Sequence, residues 1–546
     1  MLERLWRTAA ALLLLASAAE SALAQRPRVD YRELESVVAR ELRETNTPGA
    51  AVAVVSGGRV VYSKGFGVAS VENDAPVTPE MLFRVGSVTK MLTAAVFVSL
   101  AEEKGVALDA PIGDAVRGLG PRLSGVTPRQ LLSHSAGVID YARVCCAQEE
   151  SGLSAQVRGM SDDDYFFAEP GRIFSYSNPG YIVAGYAIQE LTGKPYADAM
   201  GESLFRPLGM TRTTFRPTVA MTFPLSQGHD AAGDSRPTVV RPSVNNVGDW
   251  PAGFAYSNVF DLARFAVAFM DGGRIDGRRA LSPSVIATLS APYVEVPFSW
   301  DIPAGLYEGA KYGHGFFTLE YRGVRLLHHG GVINGFGAFV LMAPEHRVAI
   351  IVLANRTGSI LGKTLEKALE LSLPLKSKPQ APPRRVVQMS RAEMETYAGA
   401  YVNGLLRVEL FVRDGKLFRK DFYPPTAEEG PGRSFEASVE KVGQNRFAFT
   451  PPGEATAAEF VLVPGAAAGR SSCTVSCGQP GGYSRRGSFT GRPTRAMPQA
   501  NPWVALQNYR VVVRRLCCEF PSSRDGVASK PAGRRLTFVP PNRRSF

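Results

Sequence analysis

FRVGSVTKMLTAAVFVSLAEEKG, residues 83–105, decides how the rest of the chain reads. Between Lys90 and Leu100 it holds no Gly, no Pro and almost no polar residue. That is the pattern of a helix apolar all round and buried in a domain core. Two polar residues stand at its start, Ser87 and, three positions on, Lys90. An ammonium buried without a partner is costly, and a lysine kept dry tends to give up its proton. Positions i and i+3 share a helix face, so the amine can reach the hydroxyl. A serine hydroxyl is a weak nucleophile until a neighbouring base takes its proton, a task that suits a desolvated lysine. The plainer reading of S-x-x-K is a polar helix start, and its weakness is the apolar run that Lys90 faces.

Two further segments carry suitable residues. FSYSNPGY, residues 174–181, sets the phenol of Tyr176 and the amide of Asn178 two positions apart, with Pro179 opening a helix behind them. In extended backbone two such side chains project the same way. A tyrosine beside a lysine ammonium has its phenolate stabilised, which makes it a general-base candidate. Alone, the segment also reads as an ordinary capping turn. LHHGGVINGFGAF, residues 327–339, brings His329, Gly330 and Gly331 along or at the end of a strand. Two glycines there let a ligand approach the backbone, although a glycine bulge with two partly exposed histidines fits equally. The N–H groups of Ser87 and Val332 are candidates for an oxyanion hole.

Around these pieces, residues 31–45 read as a surface helix, and residues 49–67 as two apolar strands about the hairpin signal Gly57-Gly58. Residues 109–220 are mainly helical and turn-rich, with a helix at 181–191 stopped by Gly193. Strand candidates follow at 323–328, 337–342 and 348–354, then an amphipathic helix at 361–373. Strands at both ends with helices between predict an α/β (α+β) domain over residues 25–373. It would hold one antiparallel sheet built from the two chain ends, with a helical insertion. Residues 374–389, opening PLKSKPQAPPRR, form a Pro-rich, charged linker. Past it, Ser390-Arg391-Ala392-Glu393 is a capping-box helix start. Strand-like runs at 406–412 and 416–420 flank an Asp414-Gly415 turn signal, with others at 435–439, 446–450 and 459–463. Residues 390–464 are therefore expected to be a small β domain.

The two ends read differently. Residues 1–24 set Arg4 and Arg7 before an apolar run and close on Ala22-Leu23-Ala24, the pattern of a secretory signal peptide, with an uncut N-terminal anchor as the rival. The expectation is an exported bacterial protein, periplasmic or secreted, with no stable membrane insertion after cleavage. From Arg470 onward thirteen arginines and Lys530 face only Glu519 and Asp525, so the whole net charge of +12 sits in residues 465–546. The rest is balanced and has no global basic field to steer a polyanion, which argues against nucleic acid as partner. Residues 465–546 hold no periodicity, and are expected to be unstructured or translated from a shifted reading frame. The rivals are a basic nucleic-acid or membrane-surface tail and a zinc site from Cys473, Cys477, Cys517 and Cys518, whose spacings match no familiar pattern. Cys145 and Cys146 are adjacent and suggest no conventional disulfide framework.

In this order, S-x-x-K at Ser87, Y-x-N at Tyr176 and H-G-G at His329 resemble the serine β-lactamase/penicillin-recognising superfamily. The branch is that of class C β-lactamases, D-alanyl carboxypeptidases, D-aminopeptidases and related esterases. GVTPRQLLSHSAG (125–137), PLGM (207–210) and LANRTG (353–358) extend the resemblance over residues 31–373. The small β domain resembles barrel-like domains appended in the same family. The resemblance implies that Ser87 is acylated, that Lys90 and Tyr176 handle its proton, and that Asn178 contacts a substrate amide. It puts His329, Gly330 and Gly331 at the third motif and the oxyanion on the amides of Ser87 and Val332. A small-molecule or peptide acyl substrate would then be hydrolysed through an acyl-enzyme, with no metal or other cofactor required. No G-x-S-x-G surrounds Ser87, which argues against an α/β-hydrolase. One departure stands out: β-lactamases usually carry Lys-Thr-Gly where His329 and Gly330 stand. A mostly neutral imidazole weakens capture of a substrate carboxylate, which favours an ester, a D-amino-acid amide or another small acyl substrate over an antibiotic. The alternative from another class is a catalytically silent relative that binds or regulates.

Overall fold

A computed structural model of the chain describes residues 29–140, 147–160, 166, 168–231, 235–296, 306, 309–378, 385–403, 406–423, 433–450, 458–464 and 503–507. The leader-like residues 1–24 and all six cysteines lie outside the described residues.

Helix α1 (Arg32–Glu44) leads into strands β1 (Gly49–Ser56) and β2 (Arg59–Gly67). Both glycines of the turn between the strands take positive φ, as the hairpin signal required. The helical insertion holds α2 (Thr89–Lys104), α3 (Asn178–Thr192) and α4 (Val259–Met270), among shorter helices. The chain then returns through β3 (Val294–Glu295), β4 (Lys311–Tyr312), β5 (Phe317–Tyr321), β6 (Val324–Ile333), β7 (Phe336–Ala343) and β8 (Val348–Ala354), and closes on α5 (Gly362–Ser372). The strands form one sheet in the order β2-β1-β8-β7-β6-β5-β4-β3, every pair antiparallel. First and last strands meet at the β1–β8 pair, as expected of a sheet built from the two chain ends.

Why β1, β7 and β8 read as unbroken apolar runs is visible in their packing. Ala51, Ala53, Ala338, Val340, Ile351 and Leu353 face one core with α2, α3 and α4; Val52, Phe339, Leu341, Ile350 and Val352 face another with α1 and α5. A strand covered on both faces has no polar face to show. β2 departs from the expectation of two apolar strands: it is the sheet edge and half exposed, so only alternate positions need be apolar.

Beyond the linker, Ser390 caps α6 (Arg391–Tyr397) by accepting the Glu393 N–H at 3.1 Å. A meander of β9 (Gly399–Asn403), β10 (Leu406–Arg413), β11 (Lys416–Tyr423), β12 (Arg433–Gly443), β13 (Arg446–Phe449) and β14 (Ala458–Pro464) follows. Asp414 and Gly415 both take positive φ in the β10–β11 turn. A seventh strand, β15 (Trp503–Gln507), pairs antiparallel with β14. That differs from the expectation for residues 465–546, of which these five are the only described ones. WVALQ has strand-favouring residues, set in an Arg-rich stretch with no periodicity to announce a strand.

Candidate active site

α2 is buried nearly all round, and Lys90 has no exposed surface. Ser87 lies in a 3₁₀ turn, Gly86–Val88, that runs straight into the helix. In so tight a turn side chains three apart nearly eclipse, and Lys90 Nζ is 3.0 Å from Ser87 Oγ. Thr89 fixes the turn: its hydroxyl donates to Gly86 O at 2.7 Å and accepts the Ala255 N–H at 3.2 Å. Thr93 donates to Pro251 O at 2.7 Å, so the segment carrying Ala252 is tied to α2 as well.

The other contacts of Lys90 come from two sides. Its Nζ donates to Asn178 Oδ1 at 2.6 Å and to Ala252 O at 2.7 Å, and lies 4.8 Å from the Tyr176 ring centre. Tyr176 and Asn178 flank Ser177, whose extended backbone caps α3, so both side chains turn the same way, as expected. Burial brings the Lys90 ammonium down to about 7, against the opposing pull of Asp140 and Asp249. Those carboxyls are themselves raised by loss of solvent, Asp249 to about 6. Asp140 accepts the Asn178 backbone N–H at 2.8 Å and bonds its side-chain amide, so Asn178 bridges amine and carboxyl.

The third motif closes the site from the sheet. Gly331 lies against the Ser87 turn: a methyl on it would overlap Val85 O and stand 3.0 Å from Ser87 N. Gly86, at φ +52°, is its counterpart, with a methyl there 2.6 Å from Val332 N. The amides of Ser87 and Val332 thus come together at one close crossing, where the oxyanion was expected. His329 differs from a substrate-facing group. It is 2% exposed, and both ring nitrogens are engaged by the protein. Nδ1 donates to Gly330 O at 2.6 Å and Nε2 accepts from Tyr312 OH at 3.0 Å. Burial and the nearby Lys90 hold its pKa well below the usual range. A neutral imidazole turned into the wall supports the site without touching substrate.

Ser87, Lys90, Tyr176, Asn178, Gly331 and Val332 therefore converge, while His329 and the Gly330 carbonyl that holds it stand behind them. Sequence reasoning missed His134, Asp140, Asp249, Ala252 and Tyr312. His134 lies inside the quoted 125–137 stretch, a signal that was available; the others had none.

The Beta-lactamase family's sequence profile matches residues 34–372. The chain belongs to the beta-lactamase family. Among curated members, Protein flp of Staphylococcus aureus (strain COL) is 25% identical over 341 residues, 61% of this chain and 65% of that protein. Unguisins hydrolase ungD' of Aspergillus campestris (strain IBT 28561) is 29% identical over 350 residues, 60% of this chain and 62% of that protein. The chain thus spans less than two thirds of the length of these curated relatives. Among solved structures, SurE aligns at 25% identity with a TM-score of 0.62, covering 79% of this chain and 94% of that one. This beta-lactamase-family chain has the β-lactamase/transpeptidase-like fold, followed by a separate C-terminal sheet.

Proposed function

We propose that the chain is a serine hydrolase acting through an acyl-enzyme at Ser87 on a small ester, amide or D-amino-acid peptide. The observation that carries the reading is the Lys90–Ser87 contact: a fully buried amine, near neutrality in its titration, 3.0 Å from a hydroxyl. Ser87 Oγ attacks the acyl carbon as its proton passes to the Lys90 amine, with Tyr176 alongside as the second proton carrier. The tetrahedral oxyanion is held by the Ser87 and Val332 amides. Collapse expels an alcohol or amine that takes the proton back, and water then releases the acid by the same route. Hydrolysis is supported by the family and by the name of the ungD' relative. The neutral, fully engaged His329 favours substrates without a carboxylate to be captured at the third motif. The pattern of residues 1–24 supports export, periplasmic or secreted; a mature N-terminus upstream of Gln25 would count against it.

A fluorophosphonate probe tests the reading, with an adduct expected on Ser87 of the folded protein. No adduct there would favour a catalytically silent relative. Turnover of a nitrophenyl ester against a chromogenic cephalosporin separates esterase from β-lactamase, the ester being expected to win.

A further inference from the structure

Tyr176 is gripped by a residue from another segment. His134 follows the short helix Pro128–Leu132 and is 1% exposed. Its carbonyl accepts the Ser175 N–H at 2.7 Å, and its imidazole Nδ1 accepts the Ser177 N–H at 3.0 Å. One residue thus holds the amides on both sides of the tyrosine. Its ring also lies against the Tyr176 ring, with centres 4.1 Å apart and planes at 34°. We propose that His134 is the positioning residue of Tyr176, holding the phenol where the Ser87–Lys90 pair can use it; this rests on the serine hydrolase reading above.

Two local costs point the same way. His134 takes φ +58°, a left-handed conformation uncommon outside glycine. Because Nδ1 accepts, the ring proton sits on Nε2, and Nε2 is buried with no hydrogen-bond partner. It is enclosed by aromatic rings, with Tyr312 at 4.7 Å, Tyr181 at 5.2 Å and Phe174 at 5.9 Å between centres. A buried donor left unmet is destabilising. Local cost of this kind concentrates at working sites. The clamp requires Nδ1 to stay unprotonated, and burial together with the neighbouring Lys90 keeps the imidazole neutral. The segment is itself anchored: Gly171 N–H donates to Ser135 O at 2.6 Å, and the Ser133 and Ser135 hydroxyls meet at 2.8 Å. The clamp is therefore rigid where it grips.

Two variants separate its parts. His134→Asn keeps an acceptor at the δ position and tolerates the left-handed backbone, whereas His134→Phe keeps a ring and loses the acceptor. With a nitrophenyl ester, kcat of His134→Phe is expected to fall about 100-fold at unchanged KM, the scale of a displaced catalytic group. His134→Asn should recover much of that loss. Should His134→Phe fail to fold, the measurement rests on His134→Asn, expected to keep a folded chain with kcat within tenfold of wild type. Wild-type kcat in a folded His134→Phe, or a loss in His134→Asn greater than tenfold, would overturn the clamp. A wild-type protein that takes no label on Ser87 would instead remove the hydrolase reading, a distinguishable outcome.

Discussion

Lys90 uses its three hydrogen bonds on a hydroxyl, an amide oxygen and a carbonyl, none of them charged. Nothing in direct contact therefore compensates an ammonium, and the amine is held near 7, a poised general base. For ester hydrolysis, kcat/KM should rise with pH through an apparent pKa near 7, since the free amine is the working form. The Asp249 carboxylate favours the ammonium, so Asp249→Asn should lower the Lys90 pKa and move that limb to lower pH. A limb that stays put or moves upward would separate Asp249 from the amine. Ser87→Ala should abolish turnover, while Lys90→Ala and Tyr176→Phe should each slow it by about 10²–10⁴-fold; an unchanged rate in Lys90→Ala removes it from the mechanism. These residues were legible because their spacing is local: three along a helix turn, two along extended chain. Asp140 and Asp249 were not. Each is a lone carboxyl in its own stretch, and only the tertiary fold brings it to the amine.

At the scale of elements the decisive contact is between β6 and the turn that opens α2. Gly331 and Gly86 let two backbones cross so closely that no side chain fits between them. Gly331→Ala should push β6 from the Ser87 turn and part the two amides. We expect kcat to fall about 10²-fold or more, the scale of losing an oxyanion donor. Ser87 labelling should fall in parallel, and a variant that labels at the wild-type rate would dissociate this crossing from catalysis. The two glycines of H-G-G announced a close approach in the sequence, but not what approached. Long elements were legible for a related reason. β1, β7 and β8 are covered on both faces and α2 all round, so their runs are continuous, and β1, β7 and the C-terminal end of α2 are also bounded by Gly or Pro. β3 and β4, two residues each, carry no period to read. Yet Tyr312 of β4 holds His329 in the wall, so a strand too short to detect still sets the site.

The whole molecule carries its histidines in an uncommon state. Five of six, His134, His229, His314, His328 and His329, are buried and held below their ordinary range, chiefly by loss of solvent; His314 lies at about 4 and His328 at about 3. In the unfolded chain each titrates near 6.5. Above that pH both states are neutral, and these groups leave stability unchanged. As pH falls through 6.5 the unfolded chain takes up protons that the folded one refuses, so stability is lost progressively down to the folded values. Each histidine contributes a slope of up to about 1.4 kcal/mol per pH unit. Several together remove a sizeable share of an ordinary domain's stability, partly offset by the raised Asp140 and Asp249 carboxyls, which take up protons in the folded state over the same range. Urea unfolding of the full chain followed at pH 7.5 and 5.0 should show a much lower midpoint at pH 5.0. His314→Gln, away from the Ser87 crevice, should flatten the dependence by roughly one proton. A midpoint equal or higher at pH 5.0, in Asp249→Asn as in wild type, would mean that the buried imidazoles accept protons in place. In that event the neutral Nδ1 acceptor at His134 and the neutral wall at His329 would both have to be abandoned.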